Sequence, residues 1–118
     1  MEELPDLNTG ISKPDLFEKF KLQLQKDFEN CGLDGKFAIN LIPDYEFIFN
    51  AVNFEVEKIN KSQPNKLNEL LYRVDISEQQ IKKAFNQNSN TTLNEIIADL
   101  IIKRELQKIV IKEHYKSK

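Results

Sequence analysis

A single cysteine, Cys31, excludes any disulfide within the chain and points to a reducing compartment, so the cytoplasm is the expected location. Cys31 closes an apolar helical stripe, where a small buried thiol is expected rather than a nucleophile. Three glycines and four prolines are too few for the many turns of an all-β protein. No glycine-rich phosphate loop or nucleophile elbow occurs. The one histidine, His114, has no cysteine or second histidine near it in sequence, so no metal site and no cofactor are expected. No apolar run approaches the roughly 20 residues that span a bilayer, and the acidic start Met1-Glu2-Glu3-Leu4-Pro5-Asp6 lacks the apolar core of a signal peptide. No membrane association is expected.

The chain does carry 40% hydrophobic and 31% charged residues over 118 positions, enough for one domain with one modest core. Its net charge of −2 conceals an asymmetry. Residues 1–60 hold twelve acids and six bases, whereas residues 61–118 hold seven acids and eleven bases. A basic C-terminal half suits either its own acidic half or an acidic partner, nucleic acid included.

Taken in order, residues 1–12 contain Pro5 and Gly10 without periodicity and are expected to be a mobile tail, with a single helical domain over 13–118. Pro14 suits a first helical turn, and Phe17, Phe20, Leu24, Phe28 and Cys31 then recur at helical spacing up to Gly32, a fitting left-handed cap. Phe37, Ile39 and Leu41 alternate, which predicts a short extended connection. From Pro43 and Asp44 a helix is expected, because Tyr45, Ile48, Phe49, Val52, Val56 and Ile59 share one face. The alternation of Tyr45, Phe47 and Phe49 supports a rival reading, a small hairpin turning at Pro43-Asp44. On the helical reading Phe47 and Phe54 project from the opposite side, as candidates for partner contact.

Ser62-Gln63-Pro64-Asn65 breaks the pattern. Leu67, Leu70, Leu71 and Val74 mark a short helix, and a turn at Asp75-Ile76-Ser77 leads into another, opened by the capping box Ser77/Gln80 and expected to bury Ile81, Ala84 and Phe85. A polar loop at 86–90 precedes a second capping box, Thr92/Glu95, which starts a long terminal helix. Leu93, Ile96, Ile97, Leu100 and Ile101 form one apolar face there, and Ile102, Leu106 and Ile109 form a second on the other side. A helix apolar on two sides is either surrounded by its own domain or shared with a partner.

The apolar spacing of residues 66–86 resembles that of a helix-turn-helix, with Leu71 where the motif usually has alanine and Asp75 where it favours glycine. The resemblance implies a recognition face of Gln79, Gln80, Lys82, Lys83 and Asn86. The carboxylates elsewhere sit at pairing distance from lysines along helices, as in Glu18 with Lys21 and Asp99 with Lys103, and suggest no catalytic set. The sequence therefore predicts an all-α bundle of about five helices with a long C-terminal helix and a helix-turn-helix-like hairpin. The expected function is a non-enzymatic protein-interaction or adaptor module, binding a partner or a second copy through Ile102, Leu106 and Ile109 together with Phe47 and Phe54. The alternative is a DNA-binding regulator using the hairpin.

Overall fold

The computed structural model describes residues 7–88 and 90–116. Helix α1 (Thr9–Ser12) is followed by α2 (Pro14–Asn30), a 3-10 turn (Lys36–Asn40), α3 (Tyr45–Ser62), α4 (Pro64–Val74), α5 (Glu78–Gln87) and α6 (Leu93–Lys116). The fold is an all-α bundle, with no strand among the described residues and no helix long and apolar enough to cross a membrane.

Local chemistry sets most of the boundaries. The α2 helix ends in a Schellman motif: Gly32 takes φ +77°, the Leu33 N–H donates to the Phe28 carbonyl at 3.0 Å and the Gly32 N–H to the Glu29 carbonyl at 3.0 Å. The same closure recurs after α4, with Asp75 at φ 71° and the Ile76 N–H donating to the Leu71 carbonyl at 2.9 Å. At the other ends, the Asp44 carboxylate accepts from the Phe47 N–H at 2.9 Å. Both expected capping boxes form, Ser77 with Gln80 at 2.7 and 3.2 Å and Thr92 with Glu95 at 2.9 and 3.2 Å.

Residues 7–12 depart from the expected mobile tail, and residues 1–6 lie outside the described residues. Instead of hanging free, α1 packs on α2 and α6. Gly10 permits this approach, since a Cβ there would stand 2.8 Å from Leu106 Cδ2 and 3.3 Å from Val110 Cγ2. The stretch after α2 is not extended either. A 3-10 turn has three residues per repeat, so Ala38 and Leu41 point inward together and Ile39 is left outside. Phe37 meets Phe28 edge-on, with ring centroids 4.9 Å apart. The segment from 45 onward is helical, which replaces the hairpin reading.

The axis of the bundle is α6, which touches each of the other α-helices. This position accounts for its two apolar faces and corrects the expected seam. Ile102 and Leu106 are buried within the chain and Ile109 is nearly so, leaving only its edge at the surface between α2 and α6, so the three do not form an open seam. A helix with neighbours on several sides carries apolar residues on more than one face. Two positions expected in the core are exposed: Leu93, at the start of α6, and Phe85 on α5. Helix α5 has no fully buried residue and rests on α6 with Ile81 and Ala84 half-buried.

Candidate functional site

With the second face of α6 enclosed, the exposed apolar side chains that remain include an aromatic stripe on α3. Its inner side, Ile48, Val52, Val56 and Ile59, fills the core. Phe47 and Phe54 sit two turns apart on the opposite side, 43% and 63% exposed, with Ala51 half-buried between them. Lys58 Nζ stands 5.5 Å from the Phe54 ring centroid and 3.1 Å from Glu55 Oε1. The result is an aromatic stripe edged by a cation at one end, a surface of the kind that anchors protein partners.

The α4–α5 hairpin presents the second sequence-derived candidate. Gln79, Gln80, Lys82, Lys83 and Asn86 are all exposed on α5, but they are not equivalent. The Gln80 side-chain oxygen accepts from the Ser77 N–H and is committed to the capping box. Both arginines of the chain are also committed. Arg73 Nε lies 3.2 Å from Asp27 Oδ1, and Arg104 NH2 lies 3.0 Å from Asp75 Oδ2, which ties the hairpin turn to α6. Lys66 is held by Glu69 at 3.3 Å, so Lys82 and Lys83 are the hairpin's cations outside an ion pair among the described residues, and its one guanidinium, that of Arg73, already bonds Asp27 through Nε.

A third feature escaped the sequence reading, because acidic residues on helices are read as surface. Asp27 of α2 and Glu105 of α6 are buried, Glu105 completely. Asp27 receives Gln23 Nε2 at 3.1 Å and faces both Arg73 and Lys108, the latter at 3.5 Å. As a carboxylate, Glu105 would find no donor in hydrogen-bonding geometry on either oxygen, with Lys108 Nζ at 3.4 Å from Oε1. As an acid it donates to Asp27. Burial, reinforced by that hydrogen bond and by the charge of Asp27, pushes Glu105 up to about 9. Burial also raises Asp27, but the hydrogen bonds from Glu105 and Gln23 and the Lys108 charge outweigh it and hold Asp27 below its ordinary value. The pair is one carboxylate and one carboxylic acid sharing a proton, inside the contact of α2, α4 and α6. A signal did exist: Asp27 is three residues from Leu24 and seven from Phe20, within the stripe of α2, and Glu105 stands between Ile101 and Ile109 on α6.

Other reactive groups are engaged. Tyr45 donates to Asp99 across α3 and α6, and burial together with that carboxylate pushes its hydroxyl up. Burial likewise raises the Cys31 thiol, as befits an unreactive core residue. His114 meets the Tyr115 ring edge-on at 5.3 Å. Among the described residues, no group of three or more His, Cys, Asp or Glu is placed to hold a metal ion. Comparison with known proteins returns no match to a family model, to a curated protein or to a solved structure.

Proposed function

We propose that this chain is a non-enzymatic interaction module that docks a protein partner, or a second copy of itself, on the outer face of α3. The observation that carries this reading is the pair of exposed rings Phe47 and Phe54 on a helix whose other side already fills the core. Covering their exposed halves contributes on the order of 2 to 3 kcal/mol. Micromolar affinity requires about 8 kcal/mol, so the stripe acts as the anchor of a wider contact. The proposed setting is the cytoplasm, since a lone buried thiol needs no oxidising compartment.

The test combines sedimentation velocity over a wide concentration range with a photo-crosslinking residue at position 54. Association that Phe47→Ser and Phe54→Asp abolish, or a defined adduct formed from position 54 but not from position 82, supports the reading. A chain that stays monomeric and crosslinks equally weakly from both positions refutes it.

A second reading, DNA binding, has one observation in its favour: Gln79, Lys82, Lys83 and Asn86 share the open side of α5. The engagement of both arginines within the fold weighs against it. Anisotropy of a labelled mixed-sequence duplex decides it, because phosphate contacts give binding that falls steeply as salt rises and that weakens in Lys82→Ala/Lys83→Ala.

A further inference from the structure

A groove of about 290 Å³ runs between α2 and the C-terminal half of α6. One wall carries Lys19, Leu22, Gln23 and Lys26, and the other Ile109, Lys112, Glu113 and Lys116. Each wall follows the same helical spacing. The helices run antiparallel, since Lys19 Nζ meets Glu113 Oε2 at 2.7 Å while Asp27, two turns later on α2, meets Lys108, earlier on α6. Ile109 forms a buried floor, and Leu22 stands 64% exposed among the lysines.

The charge of this groove runs against that of the chain. Four lysines face one glutamate there, in a protein whose net charge is −2. Glu113 is already held by Lys19, whereas Lys26 and Lys112 make no ion pair among the described residues. Lysines surround apolar side chains at both levels of the cleft, so a bound group must satisfy charge and hydrophobic contact together. A bare phosphate chain would leave Leu22 without use.

From this geometry we infer that the α2–α6 groove is a docking site for an acidic protein segment that seats an apolar side chain against Leu22 and Ile109 between the lysine rows. The site is separate from the α3 stripe and does not depend on it. Carboxylates of the incoming segment pair with Lys26, Lys112 and Lys116, and its apolar side chain covers Leu22.

The experiment titrates the full chain into a fluorescein-labelled helical peptide with leucines at i, i+4 and i+7 and glutamates on the flanks. Saturable binding is expected, weakened about tenfold or more by Lys26→Glu/Lys112→Glu and several-fold by Leu22→Ser, with unchanged melting of both variants. Phe54→Asp should leave it unaltered, which separates this site from the α3 surface. No binding, or binding that ignores all three groove substitutions, overturns the inference. Equal binding of a leucine-free glutamate peptide overturns it too, by reducing the groove to bare electrostatics. Preferential binding of a DNA duplex or of phosphatidylserine vesicles through the same lysines would assign the groove to another class of partner and equally refute it.

Discussion

Glu105→Gln should make this protein more stable at neutral pH, although it alters a fully buried residue at the centre of the bundle. The unfolded carboxyl has its ordinary value of 4.5, whereas the folded one is pushed up to about 9 by burial and by Asp27. Below pH 4.5 both states carry the proton and the native hydrogen bond to Asp27 contributes in full. Between 4.5 and about 9 the unfolded chain releases the proton and the folded chain keeps it. Stability then falls with rising pH at about 1.4 kcal/mol per unit. By pH 7 the loss reaches roughly 3 kcal/mol, a large share of what a domain of this size possesses. Asp27 works in the opposite sense: its depressed value adds stability that is present above the ordinary carboxylate range and disappears as pH falls through its folded value. The two together place the most stable condition in mildly acidic solution.

Glutamine keeps the shape of the protonated acid and donates to Asp27 through its amide, but cannot ionise. Urea unfolding followed by circular dichroism at pH 5, 7 and 8.5 provides the comparison. The variant and wild type should nearly coincide at pH 5 and diverge by about 2 to 3 kcal/mol at pH 7, with the gap widening further at pH 8.5. Glu105→Ala, which leaves a cavity and removes the donor to Asp27, should be destabilised throughout. A wild type whose stability is flat from pH 5 to 8.5, or a glutamine variant weaker by the same amount at every pH, would refute the shared-proton arrangement.

Two further substitutions separate core from surface. Ile102→Ala should cost about 3 kcal/mol in urea unfolding, because the side chain is fully enclosed, whereas Phe54→Ala should stay within about 0.5 kcal/mol; equal effects would mean that one of the two faces has been misassigned. Gly35→Ala should cost about 2 kcal/mol for a steric reason, since its Cβ would stand 2.6 Å from the Gln25 carbonyl oxygen and 3.1 Å from Gln25 Cα, backbone atoms of α2 that cannot swing aside; an unchanged melting temperature would show that the loop lifts off α2 at no cost.

What the sequence revealed of this fold is what local chemistry decides. Thr92 with Glu95, Ser77 with Gln80, Pro14, Gly32 and Asp75 each act on backbone groups within a few residues of themselves, so their effect is written in the neighbouring letters. What covers an apolar stripe is not local. The second face of α6 reads the same whether α1 and α2 or another molecule lies against it, and α1 comes close to Leu106 at Gly10, where there is no side chain. The same limit hid Asp27 and Glu105: an acid among leucines and isoleucines reads as a break in the stripe until a second helix supplies the other half of the pair. Once both halves are seen, the polar interruption and the enclosure of α6 have one cause. At the level of Glu105 the helix faces its neighbours, so the carboxyl has no solvent to turn to, stays neutral and bonds Asp27, and the adjoining Ile101, Ile102 and Leu106 are core for the same reason. The two surfaces proposed for partners, the outer stripe of α3 and the lysine-lined groove between α2 and α6, lie at the edges of that enclosure.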